Sequence, residues 1–355
     1  MQPERELIPE GTEIRNFVFL QKIGQGGYAD VYKVTSKRFN LDFVAKVISC
    51  TSDKVLESTE SEINSLQMLD HPNIIRLYDH FFWKDNPQGS PLFVMILEYC
   101  PNGSLMDEYK KNGPISGLRL LQITRQLITA VQYAHSMNIA HRDIKPQNIL
   151  FDEFGRPKLA DFGISHIIKD DQSKFTVNSK CSLRYAAPEV IEKKPHDEFK
   201  ADVWSLGISI ATVASSGVLY PLQTQQLMID AIRLGNINLP KKLPSSLLVL
   251  LKKMIERDPN VRISMDEAAL SPLEGLEQSC SETDASLLAK RSFDFTDLKR
   301  RGRVKSKNRI SIGSFVLNGN KSTARLTCGP FTRGKSIMHS MSSSNANFTL
   351  SKNTQ

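Results

Sequence analysis

The chain is poor in the features that mark several protein classes. Its five cysteines (Cys50, Cys100, Cys181, Cys280 and Cys328) are odd in number, widely spaced and form no Cys-x-x-Cys. That excludes a disulfide scaffold or a zinc finger and points to a reducing compartment. The N-terminus, MQPERELIPEGTE, has no apolar core, so no secretory signal is expected. The longest apolar stretch follows Trp204 and is broken by Ser205, Gly207, Ser209, Ser215 and Ser216, which fits a buried helix better than a membrane span. No internal repeat is visible. Hydrophobic residues make up 40% of 355, enough for a sizeable core, so wholesale disorder is excluded.

The formal charge of +8 is unevenly placed. Residues from Gly275 onward carry 14 Lys+Arg against 5 Asp+Glu, leaving about −1 on the first 274. Ser and Thr supply 21 of those last 81 residues and hydrophobic periodicity fades, so residues 276–355 are expected to be a disordered basic tail. The near-neutral body divides again. Alternating or apolar runs at Phe17–Ile23, Val31–Val34, Phe43–Ile48, Ile74–Tyr78 and Leu92–Tyr99 predict strands, with a helix over Ser52–Leu69 that stops before His71-Pro72. From Leu105 the pattern turns helical: Leu118–Met137, Ala201–Ser215 and Leu247–Arg257 are helices, with short strands at Ile149–Phe151 and Pro157–Leu159. The expected fold is α+β, a small strand-rich lobe followed by a larger helical one.

Three constellations carry chemistry. Ile23-Gly24-Gln25-Gly26-Gly27-Tyr28-Ala29 sets glycines between two strands, where backbone can approach a phosphate; a plain β-turn is the alternative. Lys46 lies in the apolar strand Phe43-Val44-Ala45-Lys46, where its charge needs an anion. Glu62 is the natural partner and Glu60 the competing one. His141-Arg142-Asp143-Ile144-Lys145-Pro146-Gln147-Asn148 is followed thirteen residues later by Asp161-Phe162-Gly163. Asn148 and Asp161 can converge oxygens on one hard cation, Asp143 lies near enough to orient a hydroxyl, and Lys145 can neutralise a transferring phosphoryl group.

With these blocks, and with Ala187-Pro188-Glu189, Asp202-Val203-Trp204-Ser205-Leu206-Gly207 and Asp258-Pro259-Asn260-Val261-Arg262 in the same order, the chain resembles the eukaryotic protein kinases over residues 14–275. The resemblance implies an N-terminal arm (1–13), a small lobe (14–97), a hinge (98–103) and a large lobe (104–275). It implies ATP and Mg2+ as cofactors and transfer of the γ-phosphoryl to Ser/Thr hydroxyls of protein substrates, a catalytically weak scaffold being the alternative. Lys46 would bind the α/β-phosphates and pair with Glu62. Asp143 would meet the substrate hydroxyl, Lys145 the γ-phosphoryl, and Asn148 and Asp161 the metal. Gly24, Gly26, Gly27, Val31, Ala45, Leu150, the hinge residues Glu98, Tyr99 and Cys100, and Asp107 at the ribose would complete the ATP site behind the gatekeeper Leu97. Leu66, Leu77, His141 and Phe162 would stack as an internal spine, Glu189 would pair with Arg262, and Asp202 would anchor the catalytic loop.

Departures are informative. Ala29 replaces the third glycine and Gln147 a frequent Glu. Ser179-Lys180-Cys181-Ser182-Leu183 replaces a Gly-Thr-Pro run, with Ser182 still offering a hydroxyl to Asp143 and Lys145 in the substrate-docking loop. Cys181 is a substituted loop residue or a redox handle. Arg142 beside Asp143 suggests control by phosphorylation of Thr176 or Ser179 by an upstream kinase. The body is most similar to the calmodulin-dependent and AMP-activated branches, with Polo-, Aurora- and NIMA-like assignments as alternatives. The location expected is cytoplasmic. The tail run Lys299–Arg309, seven basic residues in eleven, reads as a solvated segment, a nuclear-targeting or nucleic-acid or acidic-partner contact, a pseudosubstrate or phosphosite, or least well a calmodulin-type helix.

Overall fold

A computed structural model describes residues 8–26, 29–50, 52–84, 92–168, 182–221 and 223–274, and the backbone alone of 175–176. Gly27, Ser179, Cys181 and the tail from 275 onward, on which several sequence expectations rest, lie outside these residues.

The small lobe is a six-stranded antiparallel sheet. Its strands are β1 (Glu13–Ile14), β2 (Phe17–Gln25), β3 (Ala29–Ser36), β4 (Leu41–Ser49), β5 (Leu77–Trp83) and β6 (Leu92–Glu98), in the order β1-β2-β3-β4-β6-β5. Period-2 alternation decides which side chains go to which face. Phe19, Tyr32, Val34, Ala45, Val94 and Ile96 build one apolar layer, which Ile8 caps at 1% exposure with its amide donating to Tyr32 Oη. A residue of the N-terminal arm thus joins the packing of this sheet. The opposite face offers Ile48, Phe93, Met95 and Leu97 to helix α1 (Asp53–Met68), whose Val55, Ile63 and Leu66 recur at helical spacing. Both faces of β6 are therefore buried, which explains its unbroken apolar run.

One strand differs from expectation. Ile74 makes only an isolated bridge to Leu159, and the ladder starts at Leu77 and runs on to Trp83. The turn through His71-Pro72-Asn73 and the bridge take up the apolar residues Ile74 and Ile75, both buried.

The large lobe contains α2 (Leu105–Asn112), α3 (Gly117–Ser136), β7 (Ile139–Ala140), β8 (Ile149–Phe151), β9 (Pro157–Leu159), β10 (His166–Ile167), β11 (Phe175–Thr176), α4 (Pro188–Ile191), β12 (His196–Asp197), α5 (Glu198–Ala214), α6 (Gln225–Leu234), α7 (Ser245–Met254) and α8 (Met265–Leu270). Helix α5 is buried along nearly its whole length and packs on α3 and α7. Its single core glycine has a packing reason: a Cβ on Gly207 would stand 2.8 Å from Ile255 Cγ1 and 3.1 Å from Met254 Cβ. The hairpin β8–β9, with Ile149 opposite Leu159, is tied to the small lobe by the Ile74–Leu159 bridge and to Ser104 by a bridge at Leu150. Among the described residues no helix is long and apolar enough to cross a membrane.

Candidate active site

Lys46 sits on β4 directly across from Val31 on β3 and Met95 on β6, at the centre of the sheet. Its Nζ donates to Glu62 Oε1 at 2.7 Å and Oε2 at 2.8 Å, and lies 3.3 Å from Asp161 Oδ1. Glu62, not Glu60, is thus the partner, and it is 3% exposed. Burial works against the charge on Lys46. The two carboxylates outweigh it and hold the ammonium above its ordinary pKa. Asp161 feels the reverse. Burial would raise its pKa, yet Lys46 and His141 keep the carboxyl below its usual range.

Asp161 takes a left-handed backbone, φ 64°, which a non-glycine residue adopts only when its surroundings enforce it. Two residues on, a Cβ at Gly163 would come within 3.3 Å of Asp161 Oδ1 and 3.4 Å of Glu62 Oε2, so the glycine lets the Asp161-Phe162-Gly163 turn press against the ion pair. Helix α1 grips the same turn through serines on one face: Ser58 Oγ donates to the Gly163 carbonyl, Ser61 Oγ to the Ser165 carbonyl at 3.0 Å, and Ser65 Oγ meets Ser165 Oγ at 2.8 Å. The position of Glu62 is therefore coupled to that of Asp161.

The loop after β7 forms the second half of the site. Lys145 Nζ donates to Asp143 Oδ2 at 2.6 Å and to Ser182 Oγ at 2.9 Å, and the Ser182 amide donates to Asp143 Oδ1 at 3.2 Å. Asn148 Nδ2 donates to the Asp143 carbonyl at 3.0 Å and to Oδ2 at 3.2 Å, which leaves the side-chain Oδ1 of Asn148 as an acceptor distinct from its main-chain carbonyl. Asn148 immediately precedes β8 and Asp161 follows β9, so the hairpin register brings the two to the same end, with the Ala160 amide on the Asn148 carbonyl at 2.8 Å. His141 Nε2 stands 3.0 Å from the Ala160 carbonyl while Nδ1 accepts from the Asp143 amide at 3.2 Å. A carbonyl only accepts, so Nε2 is the donor in that contact. The ring packs edge-on against Phe162, centroids 4.5 Å apart, and Leu66 lies buried in the same core, with half-buried Leu77 against it.

Asp202, 1% exposed on α5, holds the loop by its backbone. It accepts from the His141 and Arg142 amides, both at 2.8 Å, and from His135 Nε2 at 3.0 Å. Burial would raise its pKa, but the bond to His135 and the neighbouring histidines bring it below the usual carboxylate value. Arg262, fully buried, makes a bidentate pair with Glu189 at 2.6 and 3.0 Å.

Apolar residues of both lobes flank these groups in the sequence pattern of the fold. Ala45 is fully buried, Leu97 nearly so, and Val31 and Leu150 are half-buried. Gly24 pairs with Val31, and the Gly26 amide donates to the Ala29 carbonyl at 2.6 Å. Ala29 begins β3 without a left-handed φ, so the missing third glycine costs no backbone strain. Glu98 spends its carboxylate on Lys158 at 2.6 Å and on the Arg76 amide at 3.2 Å. The Cys100 thiol is pushed up to about 12 by burial and by the nearby Glu98, which makes it a poor nucleophile.

Asp107 caps a helix. It is exposed, and its Oδ2 accepts from the Ser104 amide at 2.9 Å and hydroxyl at 2.6 Å, closing the N-terminal cap of α2. Those bonds lower its pKa, the hydroxyl contributing most. A residue that sequence reasoning missed is Glu198, the first of α5, which reaches Arg142 and His166. The available signal was a carboxylate one helical turn before Asp202 on an apolar helix. Thr176 is described by its backbone alone, paired with His196.

Residues 17–273 match the family model described as protein kinase domain. The carbon catabolite-derepressing protein kinase of Saccharomyces cerevisiae is 33% identical over 264 residues, 73% of this chain and 40% of the relative. CBL-interacting protein kinase 11 of Oryza sativa subsp. japonica is 32% identical over 257 residues, 69% of this chain and 48% of the relative. CBL-interacting serine/threonine-protein kinase 15 of Arabidopsis thaliana is 30% identical over 271 residues, 74% and 62% of the two chains. The chain thus spans 40–62% of the length of these relatives. With an ordered set of motifs folded into two lobes, and a family match covering most of its length, the chain belongs to the protein kinase family.

Proposed function

We propose that the chain is an ATP-dependent protein serine/threonine kinase that transfers a γ-phosphoryl to hydroxyls of protein substrates. The observation that carries this reading is the triangle of Asp143, Lys145 and Ser182: a hydroxyl already rests 2.9 Å from an ammonium that is itself bound to the Asp143 carboxylate. A substrate Ser or Thr hydroxyl entering there would have Asp143 as the acceptor for its proton and Lys145 beside the phosphoryl oxygens. The names of the related plant and yeast kinases support the same chemistry.

In this reading Lys46, aligned by Glu62, binds the α/β-phosphates, and Val31, Ala45 and Leu150 enclose the adenine against the backbone of Glu98 and Cys100. Asn148 and Asp161 fit a hard divalent cation, since each offers an oxygen at the same end of the β8–β9 hairpin. Magnesium bound there would neutralise phosphate charge. The protein's own part is positioning and charge placement, which phosphoryl transfer chiefly requires. Phosphorylation at Thr176 or Ser179 by another kinase belongs to the same reading as a means of control, and the basic tail to targeting or partner contact, with nuclear entry or an acidic partner as its uses.

The test is phosphate incorporation from labelled ATP into a generic Ser/Thr protein substrate, beside an Asp143→Asn control and a chelated sample. Expected are at least 100-fold lower incorporation by the variant and loss on chelation that added Mg2+ restores. Equal, negligible incorporation by both proteins would refute the enzyme and leave a nucleotide-binding scaffold.

A further inference from the structure

Glu198 is almost wholly buried, its side chain 1% exposed. A carboxylate at that depth persists only when it is paired. Its two oxygens face opposite ways. Oε1 forms an ion pair with Arg142 Nε at 3.5 Å without a hydrogen bond, and Oε2 is 2.8 Å from His166 Nδ1. Arg142 is the neighbour of Asp143 in the catalytic loop. His166 opens β10, three residues after Gly163, and pairs with Ala140 just before that loop. One buried anion therefore joins the loop that presents Asp143 to the segment that follows Asp161.

The strand leading into Glu198 adds a third connection. β12 pairs with β11, with Thr176 opposite His196, two residues before Glu198. Asp202 is the other acidic group facing this cluster, one helical turn further along, and is occupied by the His141 and Arg142 amides. A cavity of about 20 Å³ lined by Arg142, His196, Glu198, Asp202 and Ser205 adjoins the pair. It has room for a single water.

Arg142 was expected to need a phosphate on the activation segment. Resting on the kinase reading above, we propose that Glu198 is a positioning residue that supplies this anion from within the fold, so that Asp143 is held in place without activation-segment phosphorylation. A phosphate on Thr176 or Ser179 would then adjust activity and not create it.

The experiment uses the full chain, with kcat and KM for ATP measured before and after phosphatase treatment, on a Thr176→Ala/Ser179→Ala protein, and on Glu198→Gln, Glu198→Asp and Arg142→Ala. Wild type should keep its kcat within tenfold after phosphatase, and so should the double alanine protein. Glu198→Gln should lose at least fivefold in kcat with KM for ATP within twofold, because Lys46, Val31, Ala45 and Leu150 are untouched. Glu198→Asp should recover part of the loss. Arg142→Ala combined with Glu198→Gln should be no worse than the poorer single variant, as two residues acting through one contact require. A loss above tenfold on phosphatase treatment of wild type overturns the proposal, and this measurement decides alone if Glu198→Gln does not fold. A folded Glu198→Gln with kcat within fivefold of dephosphorylated wild type overturns it as well. Absence of activity in untreated wild type, equal to Asp143→Asn, would instead remove the kinase reading.

Discussion

Replacing Asp202 by Asn tests how the catalytic loop is held. Oδ2 accepts two hydrogen bonds, from the His141 amide and from His135, and Oδ1 accepts one from the Arg142 amide. An asparagine can keep its oxygen at the doubly bonded position, which turns its NH2 toward the Arg142 amide, donor against donor. One charge-assisted bond worth about 1.5–3 kcal/mol is lost, and an orphaned buried N–H adds about 1–3 kcal/mol. A total of about 2.5–6 kcal/mol lowers Tm by roughly 5–24 °C in a domain of this size. Activity should fall by a route that stability does not report. Arg142 has φ 70°, a strain of about 1–3 kcal/mol that its hydrogen bond to Asp202 helps to hold. Once released, relaxation carries Asp143 with it and leaves a competent fraction of roughly 1 in 5 to 1 in 150, so kcat drops by that factor. The pH dependence has a definite sign. Asp202 titrates below its ordinary value of 3.8 in the folded state, so its contribution is present above that value and lost as pH falls through the folded one. The gap in stability between wild type and Asp202→Asn should therefore narrow in acid. Thermal melts from pH 3 to 7 with steady-state kinetics at neutral pH make the assay. A variant melting within 2 °C of wild type, with kcat within threefold, would refute the reasoning.

Two further predictions follow from paired charges. Glu62→Gln leaves Lys46 with Asp161 as its nearest carboxylate, 3.3 Å away, and loses a charge-assisted bond, so kcat/KM for ATP should fall about 10–150-fold; unchanged kinetics would mean that the pair does not align Lys46. Arg262→Ala strands the Glu189 carboxylate in the core and removes donors from the Lys200, Glu256 and Arg257 carbonyls, which should cost about 3–5 kcal/mol in denaturant unfolding, and a loss below about 1 kcal/mol would contradict it.

Much of this was legible in the sequence because particular residues have few alternative explanations. A lysine inside Phe43-Val44-Ala45-Lys46 needs an anion, and helical spacing put Glu62 on the face of α1 that meets the sheet. The hairpin flanked by Asn148 and Asp161 could be drawn from two short apolar runs and the turn between them. Asp107 was harder. Its type and place suit a sugar hydroxyl, but the pattern Ser104-x-x-Asp107 is also a capping box, and the local bonds to the Ser104 amide and hydroxyl form without help from the rest of the fold. Glu198 was illegible for the opposite reason. Its partners Arg142 and His166 lie 56 and 32 positions away, and only the packed α5 brings them together.

Helix α5 explains why the catalytic loop can be both irregular and fixed. Along its apolar length, polar residues recur at Glu198, Asp202, Ser205 and Ser209, steps of four, three and four that keep them on one face. Each has a backbone or side-chain partner in a segment outside the α-helices and strands: Arg142 for Glu198, the His141 and Arg142 amides for Asp202, the Tyr185 carbonyl at 2.8 Å for Ser205, and the Ile144 carbonyl at 3.3 Å for Ser209. Loop backbone that deep in the protein would otherwise leave groups unsatisfied at about 1–3 kcal/mol each. The helix itself is kept in register by Gly207, where any larger residue would collide with Met254 and Ile255 beside α7. The same serines that break the apolar run, and so argue against a membrane span in the bare sequence, are the groups that let a buried helix serve as the ruler against which Asp143 and Lys145 are set.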